Sequence, residues 1–259
     1  MQCILSDHCS LYKSEACNRQ CTSYIALHGF NGNGGRMAAT NLPKEYRHLT
    51  LLNSPVRASQ PKVYKIIDAQ VTTFSRQFEA EASLDPKDKI KSMYLFSEET
   101  GTGKTTTAAV ILNEWLIRHY IGSLQRNRQS LQVPGYFLDV NEWQTLFNEF
   151  NRSNIPRETA EKSAKEYYRR GSHAKMAPFA VLDDIGVRSA TEAFRGDLHA
   201  VINHRVTNGL PTVYTSNIPI DELESVFDRR LYDRVRDLCV VLPFEGDSKR
   251  GMRRWIKQN

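Results

Sequence analysis

The stretch MYLFSEETGTGKTTTAAVILNEWLIRHY, residues 93–120, decides the fold. It opens with a short apolar run, MYLFS (93–97), that reads as a buried strand, and continues from Lys104 as a helix. Between them lies Thr100-Gly101-Thr102-Gly103-Lys104-Thr105-Thr106. Glycines let successive backbone N–H groups curl around phosphate oxygens, and the helix start adds the positive end of its dipole. In that setting Lys104 reaches the β- and γ-phosphates, and Thr105 sets its hydroxyl on Mg²⁺. The usual spacing G-x4-G-K-[ST] is broken at one point, where Glu98 stands in place of the first glycine. The strand–loop–helix context still marks a phosphate-binding loop.

Working outward, GYFLDV (135–140), FAVLDD (179–184), PTVYTSN (211–217) and CVVLPF (239–244) read as further strands. Helical patterns cover 104–120, 141–150, 157–170, 192–207 and the run DELESVFDRRLYDRVRD (221–237). Five strands alternating with helices predict an α/β chain with a parallel sheet covered on both faces. Upstream, a helical period begins near Lys62, and residues 31–60 read as a glycine-rich loop followed by short pieces marked by Pro43 and Pro55.

The strand AVLDD ends in two carboxylates. Beside a phosphate-binding loop, Asp183 is placed for the Mg²⁺ shell and Asp184 for polarising an attacking water. Alone, such a pair is as often a turn or a helix cap; combined with Lys104 and an intervening strand it points to a P-loop ATPase. Asn217, at the tip of PTVYTSN, is placed to orient that water or the γ-phosphate, although a turn before Ile218-Pro219 explains it too. Arg229, Arg230, Arg234 and Arg236 share one helix, with Arg230 and Arg234 four residues apart on one face. One of them pointing outward would reach the ATP of an adjacent subunit, and a solvated basic face is the competing explanation.

Thirty-five Lys and Arg against 29 Asp and Glu leave a net charge of +6, and residues 249–259 carry five Lys or Arg with no acidic residue. This permits contact with nucleic acid. The sequence has no apolar run of membrane-spanning length and no secretory leader, so a cytoplasmic protein with no membrane partner is expected. Four of the five cysteines, Cys3, Cys9, Cys17 and Cys21, fall in the first 21 residues. In a reducing compartment this reads as a zinc site, with an iron–sulfur cluster or unligated thiols as alternatives and His8 and His28 as substitute ligands. Cys239 reads as a core thiol.

Taken in order, these elements resemble the AAA+ ATPases, and specifically the DnaC/DnaI-type replicative helicase loaders of bacteria and phages, over about residues 62–250. TGTGKTT looks like their Walker A motif, VLDDIG their Walker B form and PTVYTSN their sensor 1 strand. DRRLYDRVRD is similar to the arginine-finger segment, with Arg234 the best match and Arg230 its companion. DSKR (247–250) resembles the sensor 2 position, giving Arg250 to the nucleotide. The resemblance implies a five-stranded AAA+ domain over 61–259 with a basic tail, preceded by a Cys-rich domain over 1–60 that binds zinc and contacts the helicase. It further implies ATP and Mg²⁺ as cofactors, and as partners a DnaB-type hexameric helicase, single-stranded DNA and neighbouring copies of the chain at the ATP sites. Lys162, Lys165, Arg169, Arg170 and Lys175, together with Arg253, Arg254 and Trp255 of the tail, are the candidates for DNA contact, although Glu158, Glu161 and Glu166 make an ordinary salt-bridged exposed helix at least as good an explanation of the run 157–170. The alternatives are an IstB-type transposition helper, or an adaptor using ATP as a structural switch. On the two-domain reading, a chain starting near residue 60 keeps its nucleotide site.

Overall fold

The apolar runs become five strands: β1 (Ser92–Phe96), β2 (Tyr136–Asp139), β3 (Ala180–Asp183), β4 (Thr212–Ser216) and β5 (Cys239–Pro243). This computed structural model describes residues 2–79, 89–186, 190–246 and 248. The strands form one sheet in the order β2-β3-β4-β1-β5, and each neighbouring pair is parallel. Asp139 lies beside Asp183 and Phe96 beside Ser216, so the tips of β1, β2, β3 and β4 open at the same end of the sheet.

The helices are α1 (Thr22–His28), α2 (Gly35–Ala39), α3 (Pro61–Thr72), α4 (Lys104–Gln125), α5 (Val140–Phe150), α6 (Arg157–Met176), α7 (Glu192–Thr207), α8 (Leu223–Val226) and α9 (Arg229–Leu238). Some boundaries differ from the sequence expectation: helix α4 runs on past Tyr120 to Gln125. Helix α6 runs past Arg170 through Gly171, where a Cβ would come within 2.9 Å of the Trp143 ring. Glycine there is the condition for close packing of α6 on α5, not a stop. The helix ends instead at Ala177, whose ψ of 138° is the extended conformation favoured before a proline. The run 221–237 is not one helix. Asp228 is extended, and its Oδ1 accepts the backbone N–H of Leu231 at 2.8 Å, so it caps α9 and separates it from α8.

Alternation along the strands sends side chains to two apolar layers. Met93, Leu95, Phe137, Val181 and Val213 join α3 and α4 on one face. Tyr94, Tyr136, Leu138, Leu182 and Tyr214 join α5, α6, α7 and α9 on the other. Cys239 packs against this second layer, and burial raises its thiol pKa.

Helix α4 is buried along nearly its whole length because it is covered from both sides. The sheet takes one side and the chain before residue 60 takes much of the other. Asn113 Nδ2 donates to the carbonyls of Tyr46 and Leu49, at 2.7 and 2.8 Å, and Glu114 Oε1 accepts the N–H of Leu51 at 2.9 Å. Burial raises the Glu114 pKa, with the Leu51 bond opposing the rise. Ile4, Leu5, Leu27, Met37, Leu42 and Val56 belong to the same buried cluster as Leu95, Ile111 and Leu112. Buried Arg36 ties this front to the loop after α4, donating to the carbonyls of Ala26, Ser130 and Leu131. Among the described residues, no helix is long and apolar enough to cross a membrane.

Candidate functional site

At the common end of the strands lies a cavity of about 630 Å³, within the range of small-molecule sites. The phosphate-binding loop, residues Thr100 to Thr106, forms its floor, and Asp183, Asp184, Thr215 and Asn217 form one wall. Glu98 is exposed, so its side chain stays out of the loop's interior. Gly103 has φ 101°, and a Cβ there would meet the Val56 methyls at 2.7 Å. Its freedom is needed twice, for the turn and for the contact. Lys104 is buried, and its Nζ donates to the carbonyls of Ser97 and Glu99 at 3.1 and 3.0 Å. The Thr102 hydroxyl is buried without a hydrogen-bond partner at the base of the loop.

Thr105 Oγ1 donates to Asp183 Oδ2 at 3.1 Å, joining the loop to β3. The other Asp183 oxygen accepts from the Thr215 hydroxyl at 2.7 Å. Burial pushes the Asp183 carboxyl up to about 6 against these two hydroxyls, and the nearby Asp139 and Asp184 carboxylates add to the rise. A hydroxyl and a costly buried carboxylate facing one cavity are a donor set suited to Mg²⁺, a hard cation that keeps several of its waters. Asp184 has φ 61° and is held from two directions. Its N–H donates to Thr215 Oγ1 at 2.8 Å, and its Oδ2 accepts from Asn141 Nδ2 at 2.7 Å.

Several lining residues escaped the sequence reading. Thr215 is the hub of the acidic pair; with Thr212 and Ser216 in the same strand, its hydroxyl carried no distinguishing signal in the sequence. Asn141 follows the β2 tip, where Asp139 caps α5 through Glu142 N at 2.9 Å. Pro43, Glu45, Tyr46, Pro55 and Val56 wall the cavity from the N-terminal side. The expectation that a chain starting near residue 60 keeps its nucleotide site is therefore revised, because such a chain loses that wall and the cover of α4.

Arg230 and Arg234 do not line this cavity. Both are exposed on α9, and Arg234 Nη1 donates to Asn203 Oδ1 of α7 at 2.8 Å. Arg236 is engaged by Asp233, Asp237 and the Tyr232 ring. Arg250, Arg253, Arg254 and Trp255 lie outside the described residues. On α6, Arg169 and Arg170 both pair with Glu166, and Arg170 also pairs with Glu142. The Arg169 hydrogen bond, with Arg170 beside it, holds the Glu166 carboxyl down to about 2. Those two arginines are thus committed to carboxylates of the same chain.

Cys3, Cys9, Cys17 and Cys21 all border one small cavity of about 40 Å³, together with Leu5, Tyr12 and Tyr24. All four are free thiols; burial, and then the other three, raise the Cys3 pKa. Among the described residues, no group of three or more His, Cys, Asp or Glu is drawn into metal-holding geometry. The donor chemistry suits zinc, but the thiols border the cavity without closing to a tetrahedron. His28 is engaged elsewhere: its Nε2 accepts the Ile4 N–H at 3.1 Å and its ring stacks on His48. Burial, then His48 and Arg47, lower its pKa to about 4, so the imidazole is neutral.

No protein-family model matches the chain. Over 181 residues, 65% of the chain, it is 26% identical to the replicative helicase loader DnaI of Bacillus subtilis (strain 168), of which it covers 50%. The chain thus spans about half the length of that curated relative. A crystal structure of DnaI superposes with a TM-score of 0.52 at 22% identity, covering 83% of this chain and all of the other. A crystal structure of the DnaC helicase loader gives 0.51 at 18% identity, covering 78% of this chain and all of the other. Strand order, phosphate-binding loop and these likenesses agree: the chain has the AAA+ fold, in the form found in DnaI and DnaC.

Proposed function

We propose that the chain is an ATPase that loads a replicative, DnaB-type helicase onto single-stranded DNA, working as an oligomer assembled through its ATP sites. The observation that carries the ATPase reading is the line Lys104–Thr105–Asp183–Thr215–Asp184 along one wall of a nucleotide-sized cavity. The similarity to a replicative helicase loader supplies the partner class. Lys104, with the loop N–H groups, binds the β- and γ-phosphates, and Asn217 orients the reacting end. Thr105 and Asp183 are the residues that would hold Mg²⁺, which when bound would neutralise charge at the phosphate oxygens. Asp184 accepts a proton from the attacking water, and Asn141 sets its direction. Arg234, with Arg230 beside it, stabilises transition-state charge on a neighbouring subunit's ATP; Arg250 is assigned to the chain's own nucleotide.

The test is to load a bacterial replicative helicase onto circular single-stranded DNA with ATP. The wild type should increase the DNA-bound helicase, and Asp184→Asn should bind ATP as the wild type does but hydrolyse it at least about 100-fold more slowly, the lower end of a general base's contribution. Normal hydrolysis by that variant would remove Asp184 as the base. ATP binding with negligible hydrolysis by the wild type would favour the adaptor reading, in which the bond from Asn141 keeps Asp184 idle; hydrolysis that leaves DNA-bound helicase unchanged would remove the loader role.

The division of labour proposed along the chain gives helicase contact to residues 1–60 and the ATP chemistry to residues 61–259, with Pro43, Glu45, Tyr46, Pro55 and Val56 of the front also walling the nucleotide cavity. Cys3, Cys9, Cys17 and Cys21 are proposed to hold one zinc, which would order a segment too short to build a core of its own. Elemental analysis should find one zinc per chain, lost when Cys17 and Cys21 are both changed to Ser. Zinc retained in that variant, or absent from the wild type, would refute the site.

A further inference from the structure

Helix α9 carries the arginines assigned to a neighbour's nucleotide, yet it is only ten residues long and buries just Leu231 and Val235. Partly buried Tyr232 packs on the same apolar layer, and its hydroxyl donates to Asp221 Oδ1 at 2.9 Å. Two polar contacts with α7 add to this seat. At the start of α9, Asp228 Oδ1 caps the helix while Oδ2 is bonded to His199 Nε2 at 2.7 Å. One turn further along α7, Asn203 Oδ1 accepts from Arg234 Nη1 at 2.8 Å. His199 and Asn203 are four residues apart and share one face of α7.

An arginine side chain has many rotamers and five N–H donors in a rigid fork. Asn203 engages one nitrogen of that fork and is itself half-buried on a long helix. It therefore selects a single direction for the guanidinium without neutralising it, as a carboxylate there would. Neighbouring Arg236, by contrast, faces Asp233 and Asp237. Arg236 also bonds the Tyr232 hydroxyl, so what sets Arg234 apart among the described contacts of the two is that no carboxylate faces it, which keeps its full charge available to an incoming phosphate.

We infer that Asn203 is a positioning residue that pre-orients Arg234 toward a neighbouring subunit's nucleotide, with the His199–Asp228 contact fixing the start of the helix that carries it. The inference rests on the trans-acting role proposed for Arg234. Once the orientation is lost, the guanidinium must be reordered at each turnover, and small misplacements of charged groups cost rate more than binding.

Asn203→Ala should lower kcat by about tenfold, an order-of-magnitude expectation for lost orientation, with KM for ATP unchanged, since it touches no ATP held by its own subunit. Combined with Arg234→Ala it should add nothing to the single change, because both act through one guanidinium. Mixing Asn203→Ala with Lys104→Ala should restore turnover per intact nucleotide site, since the second variant presents a correctly held Arg234. Melting temperature and ATP affinity of Asn203→Ala guard against simple misfolding. If Arg234→Ala lowers kcat while Asn203→Ala is silent, or if the two effects add, the positioning role falls and the trans reading stands. If Arg234→Ala itself leaves turnover intact in the assembled protein, both fall together.

Discussion

Lys104→Ala should weaken ATP binding by at least about 30-fold. The ammonium is buried at the mouth of α4 and donates to the Ser97 and Glu99 carbonyls, so it is already aimed along the loop. Removing one partner of a buried charge interaction costs about 2–5 kcal/mol, which is roughly 30-fold to several-thousand-fold in affinity. Lys104→Arg should not rescue it, because a planar guanidinium cannot occupy the space of a compact ammonium. Binding of a fluorescent ATP analogue reads the effect, and circular dichroism confirms the fold. Tight binding by Lys104→Ala would mean that the loop's N–H groups hold the phosphates alone.

The second large effect is expected at Arg234. The side chain is exposed, and its one described bond is to Asn203, so Arg234→Ala should fold and bind ATP almost as the wild type does. Its turnover should nevertheless collapse, since an arginine finger is worth about 10³–10⁵ in rate. Mixing Arg234→Ala with Lys104→Ala should recover part of the activity, because one subunit keeps an intact nucleotide site and the other an intact arginine. Wild-type specific activity should rise with protein concentration as neighbours complete each site. A concentration-independent rate with no recovery in the mixture would identify a monomeric switch.

How far the sequence could be read depends on the range of the interactions involved. Strands β1, β2 and β3 were legible because each is a mostly apolar, mostly buried run, and burial of that kind leaves a local imprint; edge strand β5 is apolar though only partly buried, and β4 mixes Val213 and Tyr214 with hydroxyl side chains. Lys104, Thr105 and Asp183 were legible because their spacing encodes the loop and its neighbour. Thr215 and Asn141 were not, since what makes them functional is the strand order that brings β2, β3 and β4 side by side. The break at Asp228 was hidden by a good helical pattern on both sides; only the carboxylate's competition for the Leu231 N–H creates it. The wall made by Tyr46, Pro55 and Val56 carries no local signal, because its meaning lies in contact with residues 103–114.

The strand order also has a consequence for how the chain is made. The strand that bears the phosphate-binding loop pairs with β4 and β5, whose residues begin at Thr212 and Cys239. A ribosome therefore releases β1 more than a hundred residues, and the end of α4 more than eighty, before either of β1's neighbours exists. Until then the edges of β1 stay unpaired, while β2 and β3 can already zip together. Closing the sheet means inserting β4 between the recent β2–β3 pair and the much earlier β1, a long-range event of the kind that slows folding and leaves strand edges open to aggregation. Nucleotide, which recognises the loop only in its folded shape, is then a ligand that rewards the last step of folding.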